Sequence, residues 1–133
     1  THNLKNPNME IGIIGKGEIV VTKDVTAAAI GSGMVDVFAT PMMISLMENT
    51  CAKSVASHLQ ADESTVGTHV NVSHCAATPI GMKVYCESEL IEIDRRKLTF
   101  KVTAYDERGL IGEGLHERFI IDSKKFQAKI NSK

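Results

Sequence analysis

Tryptophan is absent from the 133-residue chain and aromatic residues make up 5% of it, too few for a platform on which bases stack. Basic residues number 15 against 16 acidic, for a net charge of -1, and no basic block exceeds Arg95-Arg96-Lys97. A nucleic-acid binder needs a positive stripe that this balance does not supply, so no nucleic-acid partner is expected. The three cysteines, Cys51, Cys75 and Cys86, are odd in number and form no CxxC pair, which argues against a disulfide framework and a zinc ribbon alike. They read as reduced thiols of a cytoplasmic protein. No apolar run approaches the ~20 residues that cross a bilayer, so no membrane partner is expected. The opening "THNLKNPN" has neither an initiator Met nor the apolar stretch of a signal peptide. It reads as a trimmed or tagged start, and residues 1 to 8 are expected to be disordered. "GIIGKGEI" (12 to 19) is glycine-rich but opens a strand instead of a helix, so neither the dinucleotide fingerprint nor the P-loop fits. A G-x-S-x-G elbow and an H-E-x-x-H pair are also missing.

What is present reads as one domain over residues 9 to 122, followed by a Lys-rich tail, 123 to 133, that is expected to fray. "EIVVTKDV" (18 to 25) reads as a first strand and "TAAAIGSG" (26 to 33) as a loop. Thr40 followed by Pro41 marks a helix start, with Thr40 as N-cap and Pro41 in the first helical position, where its missing N–H is no loss. That helix is expected to run to about Leu59, where "QADEST" breaks it. Period-two alternation then predicts strands over 65–74, 82–93, 97–106 and 110–121, with turns at Thr78-Pro79, Asp94-Arg95 and Glu107-Arg108-Gly109. Short connections favour an antiparallel meander. The first half of the helix is apolar nearly all round, through Met42, Met43, Ile44, Leu46 and Met47, so it has to be enclosed. The pattern predicts an α+β fold in which one long helix is wrapped by a curved antiparallel sheet of about five strands. The uncovered sheet edges predict a partner subunit.

Glu48 interrupts this apolar stretch. Its helical neighbours are Ile44, Ser45, Cys51 and Ala52, whereas the polar line Asn49, Lys53, Ser57 and Gln60 lies about 100° away. A carboxylate on a small, apolar face loses hydration unless it is paired, and it reads either as a base or nucleophile in a dry cleft or as a border residue reaching water. His69 and His74 are five residues apart, so in a regular strand they face opposite ways and cannot hold one metal together. His74 shares its side with Val66, Thr68, Val70 and Val72 and is expected to meet Glu48; His69 falls with Gly67, Asn71 and Ser73. Gly67 in mid-strand marks either a bulge or a place where an N–H is presented. Gly112 and Gly114 lie on one side with His116 and Arg118, opposite the apolar Ile111, Leu115, Phe119 and Ile121. If Thr40 caps the helix that carries Glu48, about 12 Å of axis separates them, so a loop turned back, a partner chain or a bridging group is needed to join them.

The stretches "TAAAIGSG", "FATPMMISLME", "TVGTHVNVSHCAATPIG" and "GLIGEGLHERFII" resemble, in order and spacing, the hot-dog-fold acyl-CoA thioesterases, and within them the group that includes the fluoroacetyl-CoA thioesterase. The resemblance covers about residues 17 to 121. It implies a Thr, Glu and His acting together, which fall on Thr40, Glu48 and His74, a glycine amide at Gly67 that helps hold the thioester carbonyl, and an arginine near the site at Arg118. It further implies a homodimer, or a higher oligomer built from dimers, with protomers paired edge to edge and the acyl-CoA at their interface. The implied reaction is hydrolysis of a small or short-chain acyl-CoA to free acid and CoA, with no metal and no cofactor beyond the CoA of the substrate. Thr40, Glu48 or water remain open as the attacking group, and Arg118 could meet an acyl carboxylate, a CoA phosphate or only Glu117. A non-catalytic acyl-CoA sensor on the same fold is the alternative. The Asp followed five residues later by His that hot-dog hydratases use is not present.

Overall fold

A computed structural model describes residues 9–133; residues 1–8, expected to be a disordered start, lie outside the described residues. The first strand, β1 (Ile14–Val20), begins earlier than the alternation suggested. After it the chain leaves the sheet in a 3-10 turn at Lys23–Val25. "TAAAIGSG", expected to be a loop, holds one helical turn, α1 (Ala27–Ile30). The Thr26 hydroxyl accepts from the Ala29 amide at 3.2 Å, and Gly31 closes the turn in the left-handed region at φ 81°. A capped tripeptide of alanines explains why so short a segment turns at all.

The long helix, α2 (Thr40–Ala56), starts one residue earlier than its Thr-Pro signal implied. Ala39 is the N-cap and makes no side-chain bond, so Thr40 is already helical and its hydroxyl is not spent on capping. Met43, Met47, Thr50, Cys51 and Val55 form the buried stripe, and Met42, Ile44 and Leu46 are half-buried around it, as expected of an enclosed helix.

Four further strands follow: β2 (Glu63–His74), β3 (Lys83–Asp94), β4 (Lys97–Asp106) and β5 (Gly109–Asp122). All pairings are antiparallel, and the sheet order is β1-β3-β4-β5-β2. The meander expected of consecutive strands holds for β3, β4 and β5. It fails for β2, which lies beyond β5 at the far edge. The chain between β2 and β3 crosses the end of the sheet, pinned by the Cys75 amide to the Ile111 carbonyl at 2.7 Å and by the Phe38 amide to the Thr78 carbonyl at 2.9 Å. This crossing carries the end of β2 past the start of α2.

Alternation on β3 and β4 sends Val84, Cys86, Leu90, Leu98, Phe100, Val102 and Ala104 inward, where they bury against Met43, Met47 and Val55 of α2. On β5 the inward side is the polar one. His116 and Arg118 are buried, whereas Leu115 and Phe119 are 42% and 41% exposed on the outer face. The segment after Asp122, expected to fray, forms helix α3 (Ser123–Asn131), with the Asp122 carboxylate accepting from the Lys125 amide at 3.0 Å. No helix among the described residues is long and apolar enough to cross a membrane. The sheet's two edges, β1 and β2, are unpaired within the chain, and Gly67–Asn71 on β2 are exposed.

Candidate active site

Because Thr40 is relieved of capping, its hydroxyl is available to the end of β2. Thr40 Oγ1 lies 2.7 Å from His74 Nδ1. The pair lines a recess with Val37, Phe38, Cys75, Ala76 and Ala77. Burial lowers the His74 pKa from its ordinary value of 6.5, with the Ala76 backbone pulling the other way, so the ring is neutral at pH 7. His74 Nε2 is buried and makes no hydrogen bond. With the proton on Nε2, Nδ1 accepts from the Thr40 hydroxyl, a contact across which an imidazole can take a hydroxyl proton.

The second group forms where β2 departs from regularity. The register against β5 runs Gly67 with Arg118 and then His69 with Glu117, leaving Thr68 as a bulge. One extra residue reverses the side-chain parity, so Thr65 and Gly67 face the same way as Val72 and His74. The expectation that Gly67 and His74 face opposite ways therefore fails. Gly67, expected to mark either a bulge or a presented N–H, directly precedes the bulge at Thr68. A Cβ at position 67 would lie 2.8 Å from Glu48 Oε2, 3.2 Å from His116 Cε1 and 3.3 Å from Arg118 Nη1.

Arg118 is 8% exposed, and three contacts fix its guanidinium: Nε to Thr65 Oγ1 at 2.8 Å, Nη2 to the Thr65 carbonyl at 2.9 Å, and Nη1 to His116 Nε2 at 3.1 Å. Burial lowers its pKa, while the Glu48 carboxylate and then Cys51 oppose that shift. Glu48 is half-buried and shares a cleft of about 440 Å³ with Ser45, Asn49, Thr65, Gly67 and Arg118. Across Arg118, His116 donates from Nδ1 to the His69 carbonyl at 2.8 Å.

The structure thus assembles Thr40 with His74, and separately Glu48 with Gly67 and Arg118. Within one chain it does not bring Glu48 to His74: about 12 Å of helix axis separates the Thr40 end from the Glu48 cleft. Alternation puts His116 beside Arg118 on β5 without signalling a role for it; the signal for its inward direction is the glycine side of the strand, since a Cβ at Gly112 would lie 2.6 Å from Met43 Sδ of α2. A third recess, of about 370 Å³, is lined by Lys16, Glu18, Tyr85, Cys86, Glu87 and Tyr105; its one thiol, Cys86, is buried and burial raises its pKa, which keeps it protonated rather than an activated nucleophile. Among the described residues no three His, Cys, Asp or Glu side chains converge as metal ligands.

The family model of FlK, the fluoroacetyl-CoA-specific thioesterase, matches residues 21–124, a span that includes every residue of both groups. The chain belongs to this thioesterase family. It is 42% identical over 98 residues to the fluoroacetyl-CoA thioesterase of Streptantibioticus cattleyicolor, covering 74% of this chain and 70% of the relative. A solved structure of the fluoroacetyl-CoA thioesterase FlK superposes with a TM-score of 0.89 at 35% identity, covering 94% of this chain and 97% of that one. A hot-dog-like protein from Thermanaerovibrio acidaminovorans, 16% identical, shares the fold, with a TM-score of 0.86 over 98% of this chain and 94% of that one. The fold expected from the sequence, a hot dog with α2 as its filling, is the fold of this thioesterase.

Proposed function

We propose that this thioesterase hydrolyses a small or short-chain acyl-CoA, with Thr40, His74 and Glu48 as its catalytic residues. The observation that carries the reading is the 2.7 Å contact between the Thr40 hydroxyl and a neutral imidazole. As Thr40 Oγ1 bonds to the thioester carbonyl carbon, His74 Nδ1 takes its proton. The C–S bond then breaks, the leaving sulfur takes from His74 the proton that came from Thr40 and departs as the CoA thiol, and the acyl group stays as an ester on Thr40 beside a neutral His74. A water molecule, its proton taken by a carboxylate or imidazole of the site, adds to that ester and releases the acid, and Thr40 recovers its proton. The route calls for no metal or redox cofactor, and CoA enters only as part of the substrate.

A homodimer unites the two groups. β2 is an open edge, and antiparallel pairing of two such edges sets the Gly67 half of one strand beside the His74 half of its twin. The Glu48, Gly67 and Arg118 of one protomer then flank the Thr40–His74 pair of the other, with Gly67 and Arg118 binding the substrate's carbonyl end. The free thiols Cys51, Cys75 and Cys86 favour a reducing compartment, the cytoplasm.

The test is thiol release from acetyl-CoA and from longer acyl-CoAs. Thr40→Val, His74→Ala and Glu48→Gln are expected to lose about 10²- to 10⁴-fold in kcat, and Thr40→Ser to keep most of it. Binding of acyl-CoA without turnover by the wild type would make the chain a sensor instead. Sedimentation showing an active monomer would remove the shared site.

A further inference from the structure

His116 stands in the middle of β5 with 1% of its surface exposed, and both of its ring nitrogens are engaged. A backbone carbonyl can only accept, so the contact of Nδ1 with the His69 carbonyl puts the proton on Nδ1. Nε2 of the neutral ring then carries a lone pair, and it accepts from Arg118 Nη1. One imidazole therefore ties the carbonyl that follows the β2 bulge to the guanidinium that flanks Glu48. The bulge residue itself is held more weakly, through Thr68 Oγ1 to the Glu117 carbonyl at 3.3 Å.

Packing adds a second constraint. His116 Cε1 lies 3.2 Å from the point where a side chain on Gly67 would begin, so the ring forms the floor under Gly67. Phe100 opposite it on β4, and Leu98 opposite Arg118, are fully buried, and an apolar residue of similar size would bury there without losing hydrated nitrogens. A buried imidazole with two directional bonds adds geometric definition more than stability.

We propose that His116 is a positioning residue of the thioesterase site: it locks the β2 bulge and the Arg118 guanidinium into one arrangement, aligning Gly67 and Arg118 with Glu48. The inference rests on the reading that Glu48, Gly67 and Arg118 act on the thioester. Burial, the Arg118 charge and the Glu48 and Glu117 carboxylates all bear on the ring, with burial the largest influence and directed toward the neutral form. The neutral form is the one that accepts from Arg118.

Two amide variants separate the two bonds. His116→Asn places an N–H near the Nδ1 position and leaves Arg118 without its acceptor. His116→Gln carries a carbonyl oxygen to the Nε2 position and restores that acceptor. For acetyl-CoA hydrolysis, His116→Asn is expected to lower kcat about tenfold, and His116→Gln to recover it to within about threefold of wild type. In an Arg118→Ala background, His116→Asn should add less than about a twofold further loss, because residues acting through one another are not additive. Thermal melts of every variant establish that the folded protein is being assayed, and if the Asn variant does not fold, the cycle is run with His116→Gln and His116→Phe. A folded His116→Asn enzyme with unchanged kcat, or equal losses in both Arg118 backgrounds, overturns the inference. If Glu48→Gln and Thr40→Val keep full turnover, the assignment of the site has failed; if they lose it while the His116–Arg118 losses simply multiply, only the positioning role has failed.

Discussion

Adding a single methyl group at Gly67 should separate activity from stability. A Cβ there lies 2.8 Å from Glu48 Oε2, so that oxygen has to retreat by roughly 0.6 Å to reach ordinary contact. The oxygen ends a flexible side chain and can move, whereas His116 and Arg118, at 3.2 and 3.3 Å, are held by hydrogen bonds and yield little. Gly67 is not among the residues with positive φ, so alanine's backbone is permitted. The lower entropy of the unfolded Ala chain, about 0.5–1 kcal/mol, offsets part of the crowding. Stability of Gly67→Ala should therefore stay within about 1 kcal/mol of wild type, or about 5 °C in Tm. Activity should not, because the methyl displaces Glu48 and fills the space beside it; misplacement on the ångström scale costs about 10- to 100-fold, or about 1.4–2.7 kcal/mol of barrier. Gly114→Ala is the contrast: its Cβ would lie 2.1 Å from the Asn71 carbonyl oxygen and 2.6 Å from Val72 Cα, so the β2 backbone itself must shift. That variant should lose about 1–3 kcal/mol of stability. The assay is kcat/KM for thiol release from acetyl-CoA, paired with thermal melts. The reasoning is refuted if Gly67→Ala keeps kcat/KM within twofold, or if it melts as low as Gly114→Ala.

Two further outcomes follow from burial. The folded pKa values of His74 and His116 lie below the unfolded value of 6.5, so below that pH the unfolded chain binds more protons than the native one, and stability falls as pH drops from 6.5 toward the folded values. Denaturant midpoints should accordingly be flat from pH 8 to about 6.5 and decline below it, and kcat/KM should hold through 6.5 with its acid limb lower; an acid limb at or above 6.5 contradicts a buried neutral base. The thiols should divide sharply: burial pushes Cys51 up to about 12 and raises Cys86, whereas Cys75 is exposed, so titration with a disulfide reagent at pH 8 should modify at most one thiol per native chain and all three in denaturant.

The helix was legible because an apolar belt from Met42 to Met47 has no stable place outside a core, and β3 and β4 were legible because alternation fixes which side is buried, whereas on β5 alternation gave the strand but not its buried side. The partner of β2 was not legible. Hydrogen-bonding neighbours across a sheet are chosen by the path of the connecting chain, and the 75–82 crossing is tied down by backbone bonds and by the Thr78 hydroxyl donating to the Asp106 carboxylate at 2.8 Å, a long-range pair that local alternation does not reveal. The N-cap moved from Thr40 to Ala39 for a related reason: Thr40's hydroxyl has a tertiary partner in His74, which competes with capping. Local rules predicted the helix start to within one residue but could not see that competition.

The site itself turns on one inserted residue. Counting by twos from His74 puts Gly67 on the wrong face, and the count stays wrong until Thr68 is removed from it as a bulge. On β5 the same counting is right, but hydrophobicity points the wrong way: Leu115 and Phe119 face out, while His116 and Arg118 are buried. Both failures have one physical origin. Burying an imidazole and a guanidinium against α2 is unfavourable unless each polar atom finds a partner, and the bulge, by changing which side chains and carbonyls of β2 lie opposite β5, helps supply those partners in Thr65 and the His69 carbonyl. The irregular strand and the inverted polarity of its neighbour are thus mutually required. A Thr68 deletion that regularised β2 should strand His116 and Arg118 without their partners, and restoring the fold would then call for apolar residues at 116 and 118, at the expense of the cleft beside Glu48.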